Sequence, residues 1–291
     1  MHTPVLLKEV LEVFNPQLGQ IYIDATINGG GHGKAILERL GVKGRIVGID
    51  WDCGLIEKLK QSQINNLTLT CDNYAHIKFI ARKYNLGEVS GIIFDLGFSS
   101  YHPEESKRGF SFLRDEPLDM RYNINFNELT AEKIINTWPR EAIEDILSRY
   151  GEERFARRIA AAIERERNQK NIFTTGELCR IIKESVPTSY FNGRIHPATK
   201  TFQALRIAVN NELENLEQAL QDSSEILAKK GKIAVISFHS LEDRIVKRFF
   251  RIREKERVLY TLTPKPIRPT PEEILNNHRA RSAKLRVAEK L

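Results

Sequence analysis

Residues 21–33, Ile21-Tyr-Ile-Asp-Ala-Thr-Ile-Asn-Gly-Gly-Gly-His-Gly33, constrain this chain more than any other segment. A short β-branched and aromatic run ends at Asp24, three consecutive glycines follow, and Lys34 to Leu40 reads as a helix. A second apolar run, Arg45-Ile-Val-Gly-Ile-Asp50, comes next and also ends on an acid. Strand, glycine turn, helix and strand make a βαβ unit, whose ligand sits beyond the carboxyl ends of the strands. Glycine lets the backbone approach that ligand closely, and an acid ending the second strand suits a ribose hydroxyl pair.

Three ligand classes compete for the loop. A dinucleotide fingerprint counted from Gly29 would need a glycine where the chain has Lys34. A phosphate-binding P-loop ending on Gly33-Lys34 would need a glycine at Asn28 and a hydroxyl at Ala35, so no group is left there to hold magnesium. An adenosyl ligand without a pyrophosphate, namely S-adenosylmethionine, remains. A purely structural turn is the competing reading, and Asp50 tips the balance towards a nucleoside site.

The rest of the chain extends the alternation and then interrupts it. Thr3-Pro4 reads as a helix start for an amphipathic segment through Phe14. After Asp50 come a helix over 53–61, a strand at Leu67–Cys71, Asp72-Asn73-Tyr74, a helix over 75–85 and a fourth strand, Gly91-Ile-Ile-Phe-Asp95. From about Glu104 to Arg194 no parallel strand is convincing, and helical patterns run at 130–137, 140–149, 151–167 and 175–185. The apolar spacing from Phe202 to Leu227 predicts one long helix. A fifth strand follows at Lys232–Ser237, then a basic helix opened by the capping-box-like Ser240-Leu-Glu-Asp243. Val258–Leu262 and Lys284–Ala288 predict closing strands, the last one antiparallel. Pro264, Pro266, Pro269 and Pro271 argue against regular structure between them. The expected organisation is therefore an α/β domain in two parts, 1–103 and 195–291, with a helical insertion over 104–194 for substrate recognition.

Charge and cysteine content narrow the function classes. The net charge is +7, and residues 229–291 carry 17 Lys+Arg against 7 Asp+Glu. Positive charge gathered at one end favours a polyanion, nucleic acid first, with a solvated basic face as the competing reading that charge alone does not decide against. Cys53, Cys71 and Cys179 form an odd, scattered set without C-x-x-C, so neither a disulfide framework nor a zinc site is expected, and the set fits a reducing cytoplasm. No apolar run approaches membrane-spanning length and the N-terminus lacks a signal-peptide layout, so the expected location is cytoplasmic with no membrane partner.

A set of unusual segments points further. They are His2-Thr-Pro-Val-Leu-Leu7, Gly30-Gly-His32, Asp95-Leu-Gly97 with Ser99-Ser100, Gly109-Phe-Ser-Phe112 and Pro117-Leu-Asp-Met-Arg121. Tyr150-Gly-Glu-Glu-Arg-Phe155, His196-Pro-Ala-Thr199 with Thr201-Phe-Gln203, Ser237-Phe-His-Ser-Leu-Glu-Asp243 and Arg279-Ala-Arg-Ser282 complete the set. In this order they resemble the bacterial small-subunit ribosomal RNA (cytosine-N4) methyltransferases of the MraW type. The resemblance implies an α/β, class I (Rossmann-like) S-adenosylmethionine-dependent methyltransferase core. Its seven-stranded sheet has an antiparallel last strand and is interrupted by an all-helical domain. It also implies S-adenosylmethionine as cofactor, no metal, and a cytosine of the decoding region of 16S ribosomal RNA as target. The partner is that RNA or the assembled small ribosomal subunit, and a homodimer is one of the oligomeric states left open. Cofactor contacts carry over to Gly30, Gly31, His32, Asp50 on the ribose, Tyr74 beside the adenine, Asp95 and the position of His102. Four positions depart from the family pattern: Asn28 for glycine, Gly33 for a serine that would cap the next helix, His102 for glutamine and His278 for proline.

The chemistry sets the remaining expectations. A cytosine exocyclic amine is a poor nucleophile, because its lone pair is delocalised into the ring. An enzyme helps by accepting hydrogen bonds from its N–H groups and by aligning nitrogen, methyl and sulfur. Asp95 is the candidate acceptor, with the loop through Ser99 beside it as a substrate contact. Phe98 or Tyr101 is a candidate for stacking on an extruded base, with core packing as the alternative for Phe98. His239, just beyond the fifth strand, is a candidate substrate contact or a helix-entry residue. The rival readings are a non-catalytic RNA-binding or ribosome-assembly factor on the same fold, and a methyltransferase acting on another nucleic acid.

Overall fold

The computed structural model describes residues 4–97, 105–190 and 196–291. In chain order its first elements are α1 (Leu7–Phe14), β1 (Ile21–Asp24), α2 (Gly31–Leu40), β2 (Arg45–Asp50), α3 (Cys53–Lys60) and β3 (Leu67–Cys71). Then come α4 (Ile77–Lys83), β4 (Val89–Asp95), α5 (Ala131–Thr137), α6 (Arg140–Arg149), α7 (Ala156–Arg167), α8 (Thr175–Ser185) and α9 (Ala198–Asn210). The chain closes with α10 (Glu212–Ile226), β5 (Leu227–Ser237), α11 (Ser240–Lys255), β6 (Leu259–Thr261), α12 (Pro271–Asn276) and β7 (Lys284–Lys290). Two compact units are present, Met1–Ser99 with Leu213–Leu291, and Ser100–Glu212.

The first unit holds a seven-stranded sheet of order β3-β2-β1-β4-β5-β7-β6, in which β7 runs antiparallel to both neighbours and the other pairings are parallel. This is the sheet that the family resemblance implied. Side chains alternate across each strand, and both faces are covered. Tyr22, Ile46, Ile93, Ala234, Ile236 and Leu285 pack with Val10, Phe14, Ile36 and Leu40 of α1 and α2. Ile23, Val47, Ile49, Ile92, Phe94 and Val235 pack on the other face with Ile80, Leu216, Leu220 and Phe250. Burial on both faces is why these strands read as continuous apolar runs rather than as alternating ones. Close packing also fixes one glycine: Gly91 sits beside Tyr22 in register, and a Cβ there would lie 2.2 Å from the ring.

The second unit is helical, built on one core that includes Leu118, Ile134, Leu147, Ile159, Ile163, Leu178, Ile182, Phe202 and Leu205. Its long entry loop is held by specific bonds. Arg108 donates to the carbonyls of Arg121 and Tyr122, and Asn210 donates to the Met120 carbonyl while accepting from the Tyr122 N–H. The unit extends to Glu212, past the 194 expected from the residues, because α9 packs Phe202, Ala204, Leu205 and Val209 into this helical core.

Other boundaries also differ from expectation, each for a local reason. The expected long helix over 202–227 is two helices, because Asn211 takes a left-handed conformation (φ 50°) and ends α9. Helix α7 starts at Ala156 rather than 151, after Glu152 at φ 46°. Helix α1 starts at Leu7, since Leu6 is itself left-handed and its N–H is taken by Glu273 Oε1 at 2.7 Å. Thr3 of the expected start lies outside the described residues. Pro271 does not forbid structure; it opens α12 at a first-turn position behind the Thr270 cap, where a missing N–H costs nothing.

One cysteine expectation is overturned. Cys53 and Cys71 form a disulfide, Cα–Cα 5.1 Å, between the start of α3 and the end of β3. The pairing follows from register: Asp50 lies opposite Cys71 across β2 and β3, and Cys53 follows Asp50 by three residues. Their separation of 18 residues in sequence is no motif, so spacing alone did not reveal it. Closing a loop of this size stabilises by about 3 kcal/mol in the chain-entropy model. Thiol titration of the denatured, unreduced protein is therefore expected to find Cys179 alone, and reduction to lower the urea midpoint. Three titratable thiols before reduction, or an unchanged midpoint after it, would contradict the link.

Candidate functional site

The carboxyl edge of the sheet gathers acids. Asp24, Asp50 and Asp95 end β1, β2 and β4, and each is buried. The order β2-β1-β4 makes these strand ends neighbours, and the Asp24 carboxyl feels both of the others. Burial, the largest cause, pushes Asp24 from its ordinary 3.8 up to about 7; the Thr26 N–H opposes the rise, the Asp95 and Asp50 charges add to it, and the Gly33 N–H opposes it. Asp95 is raised to about 7 by burial and by Glu242, against the bond it accepts from the Gly97 N–H at 3.3 Å. Such an edge favours a cation.

The glycine loop is bound to this edge by its own side chains and backbone. Asp24 accepts from the Thr26 N–H at 3.2 Å and also from the Gly33 N–H in the first turn of α2. Thr26 Oγ1 in turn accepts from the Asp95 N–H at 2.6 Å, tying the end of β1 to the end of β4. Asn28 adopts the left-handed backbone (φ 46°) that the family's glycine would supply, and its side-chain amide donates to the carbonyls of Thr26 (3.1 Å) and Gly97 (3.4 Å). Gly30, at φ 79°, caps α2. The Gly33 departure costs no cap, because the cap is Gly30. A Cβ at Gly33 would lie 2.6 Å from Ile27 Cδ1 and 3.2 Å from the Asp24 carboxylate.

Each expected site residue has a definite place. Asp50 is oriented by two backbone donors, the Asn28 N–H at 3.0 Å and the Asp52 N–H at 2.9 Å. Gly31 lies under Pro4, whose Cγ would be 2.5 Å from a Cβ there. His32 is buried, with Nε2 at 2.9 Å from the Val5 carbonyl and Nδ1 at 3.6 Å from Asp95 Oδ2. A carbonyl can only accept, so Nε2 carries a hydrogen and Nδ1 faces the acid. His32 therefore sits between the N-terminal segment and Asp95. Tyr74 opens a short 3-10 turn after β3 and packs edge-on against Phe94, with ring centroids 5.8 Å apart. His239 is the N-cap of α11: it accepts from the Glu242 N–H at 3.4 Å, and Glu242 Oε2 accepts from the Phe238 and His239 N–H groups. The capping box thus begins one residue before the expected Ser240. Ser99 and His102 lie outside the described residues, as do Phe98 and Tyr101.

Sequence reasoning missed several members of this constellation. Asp24 was visible as a strand-ending acid, but its partners Gly33 and Asp95 depend on the turn and on strand order. Thr26 carried no signal. Gly97 is required by the ring of Phe238, since a Cβ there would lie 2.7 Å from Phe238 Cε2. The motifs Asp95-Leu-Gly97 and Ser237-Phe-His239 therefore explain each other. The residues present fit the adenosyl ligand that the resemblance implied. The buried acids suit its positive sulfur and ammonium group, Asp50 ends the strand where a ribose would sit, and the left-handed loop brings backbone close.

Comparison with known proteins finds one family along the whole chain. The profile of the MraW methylase family matches residues 1–291. A ribosomal RNA small subunit methyltransferase H of Persephonella marina is 45% identical over 293 residues, covering 100% of this chain and 99% of its own. Proteins of the same description from Ehrlichia chaffeensis and Clostridium botulinum (strain Kyoto / Type A2) are 44% and 42% identical over 300 and 307 residues. Each alignment covers 100% of this chain, and 100% and 99% of the relatives.

Proposed function

The chain belongs to the MraW methylase family, and from that premise we infer that it transfers a methyl group from S-adenosylmethionine to the exocyclic N4 amine of a cytosine in 16S ribosomal RNA. The observation that carries the reading to individual residues is the convergence of Asp24, Asp50 and Asp95 on the segment from Thr26 to Gly33. S-adenosylmethionine supplies an activated methyl group when bound. Asp50 would hold the ribose, Gly30 and Gly31 the methionine end, and Tyr74 the adenine.

The protein's own contribution to the chemistry is placed on Asp95. Its carboxylate, held by the Gly97 N–H and facing His32, accepts hydrogen bonds from the target amine and takes up the proton lost on methylation. An acceptor near 7 is matched to neutral pH. The RNA substrate puts the protein in the cytoplasm, and no helix among the described residues is long and apolar enough to cross a membrane.

Calorimetry separates this reading from that of a non-catalytic RNA-binding factor. The wild type is expected to bind S-adenosylmethionine. Asp50→Ala should weaken binding by about 10- to 100-fold, the scale of losing hydrogen bonds to a charged group. A wild type with no affinity for the cofactor would favour the binding-factor reading, and equal affinity in Asp50→Ala would remove Asp50 from the site.

A further inference from the structure

We propose that the solvent face of α11, built from Lys247, Arg248 and Arg251, is a track for the backbone of the RNA substrate, leading away from the methyl-transfer crevice. The inference rests on the reading of this protein as an RNA methyltransferase and assigns the surface that holds the RNA.

The helix starts at the right place. Its N-cap His239 follows the end of β5, Phe238 packs against Gly97, and Glu242 is close enough to raise the carboxyl of Asp95. At about 1.5 Å per residue, Lys247 and Arg251 lie roughly 10 and 16 Å along the helix from Ser240. A strand whose base enters the crevice would meet them in succession.

The charge on this face is available for phosphate. Between Arg244 and Arg253 the helix carries no acid, and Lys247, Arg248 and Arg251 are all exposed. No acid of the described residues lies within ion-pair distance of these three. The helical unit treats many of its arginines differently: Arg149 pairs with Asp145 at 3.2 Å, and Arg180 with Glu166 at 3.2 Å and Glu184 at 3.1 Å. The acids nearest the start of α11 are also occupied, Asp243 by Lys284 and Arg286 and Glu242 by the capping box.

The partner is a nucleic acid rather than a membrane. Interfacial helices present an apolar face to lipid alongside the basic one. Here Val246 and Phe250 are committed to the core under the sheet, and Ile252, 43% exposed, is the one large apolar side chain of the helix left at its surface, too little for a lipid-facing stripe.

The test is a triple variant, Lys247→Gln, Arg248→Gln and Arg251→Gln, titrated against unmodified small ribosomal subunits between 50 and 200 mM salt. Each lost phosphate contact reduces the slope of log affinity against log salt by about 0.7 on a single strand. The expected slope is therefore smaller by about 2, with affinity at 100 mM salt lower by about 10- to 100-fold. KM should rise at unchanged kcat, and S-adenosylmethionine affinity should stay within twofold. The charge-preserving variant Lys247→Arg with Arg248→Lys and Arg251→Lys should keep the wild-type slope, which separates charge from folding. An unchanged slope and affinity in the glutamine variant, while the wild type methylates the same subunits, would overturn the track. So would loss of binding to anionic phosphatidylglycerol vesicles with RNA affinity unaltered. Failure of the RNA-methyltransferase reading itself would show separately, as absence of methyl transfer by the wild type.

Discussion

Asp95→Ala is expected to lower kcat for methyl transfer by about 100- to 1,000-fold, the scale of losing one preorganised group from a water-poor site. S-adenosylmethionine affinity should change far less, because Asp50, Gly30 and Gly31 remain. The proposed role makes two demands on this residue: an acceptor lone pair aimed at the amine, and a proton affinity near that of the medium. The buried carboxyl of Asp95, raised to about 7 mainly by its burial, meets the second. Asp95→Asn keeps the shape and one acceptor oxygen but cannot take up a proton at neutral pH, so its kcat should fall between wild type and alanine. Quench-flow measurement of single turnovers, with circular dichroism as the folding control, reads both. Wild-type turnover in Asp95→Ala would remove the acid from the chemistry.

The second large effect is a pH dependence of cofactor affinity. Both Asp24 and Asp95 sit near 7 in the free protein, far above their ordinary 3.8. The sign for stability follows directly. A raised carboxyl favours the protonated native state, so this stabilisation is full below about 4 and is lost as pH rises through 7. A cationic ligand has the opposite preference, because it favours the ionised acids. Affinity for S-adenosylmethionine should therefore strengthen by about 10- to 100-fold from pH 6 to pH 8 and level off above. Binding at pH 6.5 should release protons, visible as a dependence of the calorimetric heat on the ionisation enthalpy of the buffer. S-adenosylhomocysteine has no charge on sulfur and should show a shallower dependence. Equal affinities at pH 6 and 8, with no proton release, would show that the acids are already ionised or do not meet the ligand. The groups facing the two carboxyls are Asp50, Glu242 and His32, so Glu242→Gln should lower the apparent midpoint.

Several parts of this architecture could be read from the residues because local and global preferences agree there. Ile21–Asp24 and Arg45–Asp50 are apolar runs closed by acids, Leu67–Cys71 alternates leucine and threonine, and all three form strands over those residues. Asn28 tolerates the left-handed turn that its short polar side chain allows, and the structure uses that side chain to bind the loop to Gly97. What escaped the sequence depends on contacts between distant segments. The Cys53–Cys71 bond needs the β2–β3 register, and the pairing of Gly97 with Phe238 needs β4 beside β5. Asp24 becomes a site residue only because β1 lies between β2 and β4, an order that chain order does not reveal. The break at Asn211 escaped because the apolar spacing continues through it while the backbone does not.

The identity of the product is read by nucleoside mass spectrometry. Small ribosomal subunits lacking the modification are incubated with the protein and S-adenosylmethionine, and the RNA is digested to nucleosides. N4-methylcytidine is expected well above the control without enzyme, and is expected to be lost in Asp95→Ala. Methyl transfer to another base or atom, or no transfer by a protein that binds the cofactor and the subunit, would contradict it.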